Sequence, residues 1–594
     1  MASTSSNRPI QRSKLLNDYR TNRIGANLQL TDLGDHVLEF ALDPRGSRFI
    51  EQKLGHANPT ETAHLMDALR GNVLTLSKNL YGSHVIQKAL ESVDRMSQIE
   101  ITNEISTQVT TLSLHEYGNW VIRCVLDNCT EHQKRPVLEQ LHDNVLTLVT
   151  NPYGFFVIQH LIKHGLPEDR ERIVRSLQEN VTSLSCHECG CRVIKCVLEH
   201  CTEQQKRPAL EQLHDNLLSL ATDKYGSLVI RHVIEHGLPE DRDRIVRSLH
   251  KNLLTLATDK YGIHVIQHMI VHGLPEDREG IVRSLHEKIT SLSCHECGSR
   301  VIECVLEHCT EQQKRPALEQ LHDNLLSLAT DKYGCFVIEH MIEHGLLEDR
   351  ERIVRSLHEK VTSMSTHEYG SRVIRSVLEH CTDQQKRPML EQLHGNVLSL
   401  VTDKYGCFVI EHMIEHGLLE DRERIVRSLH EKVTSLSIHE YGNRVIECVL
   451  EHCTEQQKRP MLVQLHGNVL SLVTDKYGSF VIEHVIEHGL LEDRERIVRS
   501  LQGDIMKNGH HKGFCNVINK CLIFGTTEQK NALIDEVCTD NGFGRLPLLE
   551  MMKHRFGNTV VQKMLNVADS ARRNKMIFAI KTAQLKNTKN RSSK

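Results

Sequence analysis

The strongest constraint on this chain is a period. A segment of the form YG-x-x-VI recurs along it, as YGSHVIQ from Tyr81, YGNWVIR from Tyr117 and YGSFVIE from Tyr477. Divergent copies flank these, RGSRFIE from Arg45, KGFCNVIN from Lys512 and FGNTVVQ from Phe556. Take as a marker the residue two before the first apolar position: Ser47, Ser83, Asn119 and onward. From Ser47 to Cys515 the marker advances by 36 residues, thirteen times, and the last step, to Asn558, is 43. The 594 residues therefore hold fifteen repeats rather than the four domains that length alone suggests. Two repeat types mostly alternate, one carrying EHCTEQQKRP (from Glu199) and one EHGLPEDR (from Glu235). The alternation slips once, at Ser227 and Ile263.

Each repeat has helical spacing. In NRVIECVLEHC, Val445, Ile446, Val449, Leu450 and Cys453 share one face. A second helix is expected from Asp421 to Leu436, with Ile425, Val426, Leu429, Val433 and Leu436 inward. Gly489 marks a helix end, Pro460 an interruption, and His439–Gly442 a connector. No strand pattern competes. The fold class is all-α: an α-solenoid in which each repeat buries its apolar face on its neighbours.

Composition narrows the function. Hydrophobic residues make up 39% and charged residues 25%, as in an ordered, soluble chain. There is no apolar run of about 18 residues, so no transmembrane helix is expected. The polar start MASTSSNRPIQRSK lacks an apolar signal core, which favours the cytosol or nucleus. Nineteen cysteines in such a setting are expected as free thiols. Cys186-x-x-Cys189 and Cys294-x-x-Cys297 have zinc-like spacing, but other repeats put Thr366 and Tyr369 there, so no metal ligand set is assigned. Of the 39 histidines, His200, His308, His380 and His452 share one register, and His250, His286, His358 and His430 another; capping or packing is expected. No catalytic motif is found, and no cofactor or enzymatic activity is expected.

Three places vary while the Val-Ile scaffold holds. In the repeat at Asn443 they are Asn443, Arg444 and Glu447; the first and third are i and i+4, on one helix face. The second place often holds a flat or cationic side chain suited to stacking on a base.

In these features the chain resembles the Pumilio (PUF) RNA-binding repeat family, over roughly residues 11 to 580. The segment from Arg12 resembles the family's N-terminal cap and first repeat. EQKNALIDEVC from Glu528 and FGNTVVQKML from Phe556 resemble its last two repeats. The family usually has eight repeats, so fifteen is a departure. The resemblance implies a right-handed superhelix of three-helix repeats. It divides the chain into a disordered 1–11, a cap at 12–35, an array at 36–580 and a basic tail at 581–594. It also implies one base of single-stranded RNA per repeat, the chain running antiparallel to the RNA. The first and third places would bond the base edge, and the second would stack.

Chemistry then assigns bases. A carboxylate only accepts hydrogen bonds, and guanine offers N1–H and N2–H. Guanine is expected at Ser47/Glu51, Ser299/Glu303 and Ser479/Glu483, and, with a weaker first contact, at Cys335/Glu339 and Cys407/Glu411. Arginine only donates, so Ser227/Arg231 and Ser371/Arg375 suit the acceptors of cytosine. Asn558/Gln562 matches the family's uracil pair and Ser83/Gln87 its adenine pair. Asn119/Arg123, Cys191/Lys195, Asn443/Glu447 and Cys515/Asn519 match no familiar pair. Phe155/Gln159 and Ile263/Gln267 place an apolar group first. The expected site is 5′-UnGnGCGGnCnnnAG-3′, with n unassigned. The stacking places are Arg48, His84, Trp120, Phe156, Arg192, Leu228, His264, Arg300, Phe336, Arg372, Phe408, Arg444, Phe480, Asn516 and Thr559. Family kinship implies a cytoplasmic monomer acting on messenger RNA 3′ untranslated regions in repression or decay, with protein co-repressors on the outer face. The competing reading is a protein-binding α-solenoid of the HEAT or armadillo kind, which would lack the three-place reader.

Overall fold

The computed structural model describes residues 12–24, 28–540 and 546–592. The expected disordered segment 1–11 lies outside them. Among the described residues there are helices and no strand, and no helix is long and apolar enough to cross a membrane. The protein is an α-solenoid. Its backbone divides into two compact units, residues 1–288 with 308–314, and residues 289–307 with 315–594.

A regular repeat has three helices. In the repeat at Asn443 these are a short helix Val433–Ser437, a middle helix Gly442–His452 and a long third helix Glu455–Gly467. Within each unit, successive middle helices pack side by side in one layer and successive third helices in a second. The apolar core lies between the layers: Val445, Ile446 and Val449 are fully buried, as are Met461 and Leu465 from the third helix.

The polar residues of the repeat start and stop these helices. In DKYG repeats Asp223 Oδ1 accepts from the backbone N–H groups of Tyr225 (2.9 Å) and Gly226 (2.7 Å). In HEYG repeats the same task falls to a histidine: His439 Nδ1 accepts from Tyr441 (3.2 Å) and Gly442 (3.3 Å). Thr454 and Gln457 form a reciprocal capping box at the third helix, which satisfies two otherwise orphaned donors. Glycine opens the middle helix because nothing larger fits. A Cβ at Gly190 would lie 2.4 Å from the Leu184 carbonyl oxygen of the preceding short helix.

Two expectations are corrected. The single helix Asp421–Leu436 is two, Leu419–Leu429 and Val433–Ser437, joined by a 3-10 turn at His430–Lys432. Lys432, at φ −114 and ψ 5, leaves helical geometry and lets the chain turn from the third-helix layer into the next repeat. Pro460 does not interrupt its helix but sits inside Glu455–Gly467. At the sixth position it forfeits one backbone hydrogen bond, while the capped first turn and the buried Met461 and Leu465 hold the helix.

The ends depart from the regular pattern. Lys14–Arg20 and a 3-10 segment Leu30–His36 precede the first repeat, and the rings of Tyr19, Phe40 and Phe49 pack together there. At the other end the Ser570–Ser592 helix runs through residue 580, so the backbone of 581–592 continues the last repeat's helix.

Several histidines bind one repeat to the next. The buried His142 and His394 place Nε2 2.9 and 2.7 Å from Asp169 and Asp421 of the following repeat. At Asp421 the hydrogen bond from His394 outweighs burial and holds the carboxyl below its usual range. His250 and His430 meet Ser284 and Gln464 one repeat on.

Candidate nucleic-acid interface

The three variable places have distinct environments, because the helix presents each at a different angle to its neighbours. The first place lies on the packed side of the middle helix. It is buried in every repeat from Ser47 to Cys515, and Asn558 alone is exposed. Phe155 and Ile263 are accordingly core residues by environment. The first-place side chains are oriented from below. Ser227 Oγ donates to the Lys224 carbonyl (3.3 Å) and Ser371 Oγ to that of Glu368 (3.1 Å). Asn443 Nδ2 donates to the carbonyls of His439 and Glu440.

The second place stands out from the surface. Trp120 is 54% exposed and Phe480 48%, and Phe156 and Phe336 are exposed as well, so none of these is a core aromatic. His264, Arg372, Phe408 and Asn516 are half-buried. The cations lie over rings. Arg372 sits 4.5 Å from the Phe336 ring centre, Arg444 4.6 Å from Phe408, and Arg123 4.2 Å from Trp120.

The third place is half-buried in every repeat but the last, where Gln562 is exposed. These groups are charged or polar, yet the protein leaves several without partners. The buried atoms Arg123 Nε, Arg231 Nε, Arg375 Nε, Glu411 Oε1, Glu447 Oε1, Glu483 Oε1 and Asn519 Oδ1 have no hydrogen-bond partner. An unpaired buried polar atom costs about 1–3 kcal/mol, so a row of them at one register is a row of vacant valences.

Three amides of the row, expected to bond a base edge, have partners within the protein. Gln87 Nε2 donates to the Ser83 carbonyl one turn back (3.1 Å). Gln159 Nε2 donates to the Arg192 carbonyl of the next repeat (2.9 Å). Gln267 Oε1 lies 3.2 Å from Nδ1 of His264, at the second place of its own repeat. The physical reason is common to them: a half-buried amide with no base beside it takes the nearest donor or acceptor on its own helix or the adjoining one. Lys195 is half-buried beside the first place of its repeat. Burial raises the Cys191 thiol, and the charges of Arg192 and Lys195 oppose that rise. Lys195 is thus a half-buried cation where the third place elsewhere holds a carboxylate, a guanidinium or an amide.

Electrostatics repeats the pattern. Burial raises the pKa of all six third-place glutamates, Glu51, Glu303, Glu339, Glu411, Glu447 and Glu483. Glu447 is pushed furthest, to about 7; burial leads, Arg444 opposes it, and Glu411 and Glu483 add repulsion. Burial likewise lowers the pKa of Arg123 and Arg231. Some sites are closed on themselves: Arg372 holds Glu339 through two bonds (3.2 and 3.1 Å), and Arg444 holds Glu411 (3.1 Å).

One part of this surface is not evident from single residues of the sequence. Lys224, Lys260, Lys332, Lys404 and Lys476 are exposed three residues before the first place, each 4.4–4.8 Å over the adjacent tyrosine ring. The recurrence of DKYG is the signal that marks them. The CHEC cysteines do not gather into a ligand set among the described residues. Burial pushes the thiols of Cys186 and Cys196 up to about 11 and about 12, which keeps them protonated. None of the nineteen cysteines forms a disulfide.

Comparison with known proteins places this architecture. A model of the Pumilio-family RNA-binding repeat matches thirteen segments, from 108–142 to 548–580, and a model of the NOP9-like PUF repeat domain matches 35–108. Pumilio homolog 2 of Xenopus laevis is 57% identical over 53 residues, 9% of this chain. Maternal protein pumilio of Drosophila melanogaster is 40% identical over 70 residues, 12% of this chain. In each case the match spans only about 4% of the relative's length. The crystal structure of PUF-8 in complex with PBE-RNA superposes with a TM-score of 0.51 at 27% identity, covering 55% of this chain and 99% of that one. With repeat models matched along most of its length and the three-helix repeat in its structure, the chain belongs to the Pumilio family of RNA-binding repeat proteins.

Proposed function

We propose that the chain binds single-stranded RNA sequence-specifically, with successive bases read by successive repeats. The observation that carries this reading is the third-place row: half-buried charged and amide groups at a 36-residue interval, several with vacant hydrogen-bonding atoms. Exposed flat side chains flank that row on the same helices, and PUF-8, which shares the fold, was crystallised with RNA.

Binding requires the closed sites to open. A stacked base occupies about 3.4 Å, so one base between two planar groups needs about 7 Å. The 4.5 Å between Arg372 and the Phe336 ring is too narrow. A guanine entering here displaces the Arg372 guanidinium and frees both Glu339 oxygens for its N1–H and N2–H. The arginine then stacks on the base it admitted, and the released ion pair offsets part of the gain from stacking, about 1–3 kcal/mol per base. Where Glu447 and Glu483 keep an unpaired oxygen, less has to be broken. An adenine at Gln87 likewise exchanges the amide's bond to the Ser83 carbonyl for bonds to the base.

We extend the proposal to messenger RNA, through 3′ untranslated regions, with repression or decay as the outcome in the cytoplasm. Co-repressors would bind the third-helix layer of a monomeric chain. This extension rests on family kinship. The reading assigns the chain no catalytic step.

Fluorescence anisotropy tests the core claim. A 15-base RNA of sequence 5′-UAGAGCGGACAAAAG-3′ is compared with one carrying adenine at each guanine, and with duplex DNA. The expected order is the first RNA far ahead of both controls. Equal binding to both RNAs would leave the protein-scaffold reading in place.

A further inference from the structure

On the middle helices the residue after the third place, and the one four further on, form a second periodic row. In the EHG-type repeats both are histidine, one helical turn apart on one face. Their rings lie close: 4.8 Å between centres for His232 and His236, 5.4 Å for His268 and His272, 4.7 Å for His412 and His416. The preceding repeat brings a carboxylate to the same spot. Glu235 Oε2 is 3.6 Å from His268 Nε2, too long for a hydrogen bond, and the donor atoms of Glu235, His268 and His272 all lie within 4.8 Å of one another. Glu415, Cys448 and His452 form the same constellation at the same register five repeats on, with cysteine in place of the first histidine.

We propose that Glu235, His268 and His272 form a binding station for a divalent first-row transition metal ion such as Zn2+, and that the station recurs along the array. Two imidazole nitrogens and one carboxylate oxygen are a borderline donor set that suits Zn2+ and disfavours Mg2+ or Ca2+, which demand oxygen. Ligands about 2.0–2.2 Å from a tetrahedral ion stand about 3.4 Å apart. The three donor atoms already lie within 4.8 Å of one another, and Glu235 is exposed. Two histidines at the same register add an independent sign. His412 Nε2 and His484 Nε2 are buried and have no hydrogen-bond partner, so a lone pair or a proton there is unanswered. Where a small acid already closes the gap the station is filled from within: His160 Nε2 lies 2.8 Å from Asp127. Where the acidic position holds Lys163, opposite Cys196 and His200, the station is incomplete. These features concern metal binding alone and stand whether or not the RNA reading holds.

Equilibrium dialysis of the full chain against Zn2+, with metal counted per chain, tests the proposal. Co2+ serves as a spectroscopic probe through its visible absorption. The wild type is expected to take up several equivalents saturably at micromolar Zn2+. His268→Gln/His272→Gln, and separately the exposed Glu235→Gln, each remove one equivalent while leaving the circular dichroism unchanged. His200→Gln, at the incomplete station, removes none. Uptake unchanged by both Glu235→Gln and the double variant, or no saturable uptake at all, overturns the proposal.

Discussion

At the scale of the residue, the account turns on third-place side chains whose charge is poorly solvated before RNA arrives. Glu483 keeps one buried oxygen unpaired, and a neutral amide there would offer a donor where guanine also offers donors. Glu483→Gln is therefore expected to lower the preference for guanine over adenine at that base by about 10- to 100-fold, measured by competition binding. Acidity gives a second prediction. Guanine requires an ionised acceptor, and Glu447 titrates at about 7 in the free protein. Affinity for RNA with guanine opposite Glu447 should rise about tenfold between pH 6 and pH 8, and Glu447→Gln should abolish that rise. Stability runs the other way. The folded chain holds this proton more tightly than the unfolded chain, so stability grows as pH falls from 7 towards the ordinary carboxyl range of 4.5. A melting-temperature difference between the wild type and Glu447→Gln that moved against the wild type as pH fell over this window would contradict the assignment. The third-place identities were plain in the sequence, but their present partners were not. The bonds of Gln159 to Arg192 and of Gln267 to His264 depend on which side chains the packing of helices brings within reach.

At the scale of the element, the helix that carries the reader is set by contacts invisible in its own polar face. The opening glycine marks where it crosses the preceding short helix. Gly190→Ala, whose Cβ would meet Leu184 backbone atoms at 2.4, 3.0 and 3.1 Å, should cost about 1–3 kcal/mol by chemical denaturation. An unchanged midpoint would show that the short helix gives way freely. Much of this level was legible in the sequence. The 3.6-residue spacing of Val445, Ile446 and Val449 marks the middle helix, and Gly489 its kind of ending. The third helix was less legible. Leu429 and Val433 keep helical spacing across a real break, because the 3-10 turn at His430–Lys432 preserves the inward phase of the apolar residues on both sides. Pro460 misled in the opposite sense, since a capped and well-packed helix tolerates one missing donor. The capping histidines, His439 among them, stood outside the two registers singled out by sequence, because a ring nitrogen replacing an aspartate oxygen is recognised only once both geometries are seen.

At the scale of the whole molecule, a near-neutral chain is proposed to bind a polyanion. The formal charge is −4, and the third-helix segments mix both signs. The exposed lysines beside the tyrosines supply a limited set of cations for phosphates, while the reader contributes buried, unpaired polar groups for base edges. Base contacts should accordingly outweigh backbone attraction. The logarithm of affinity for the expected RNA should fall with the logarithm of salt less steeply than about −5, the slope of a protein neutralising about seven phosphates of a single strand. A steeper slope with little sequence preference would make the lysines, and not the reader, the source of binding.

The most direct test of the central claim is selection of binding sites from a randomised single-stranded RNA pool by the full chain. The account predicts enrichment of 5′-UnGnGCGGnCnnnAG-3′ or a contiguous part of it, with guanine opposite Glu303, Glu339, Glu411 and Glu483 and cytosine opposite Arg231 and Arg375. Recovery of adenine-rich sites at the guanine positions, or no enrichment of any sequence, would contradict it.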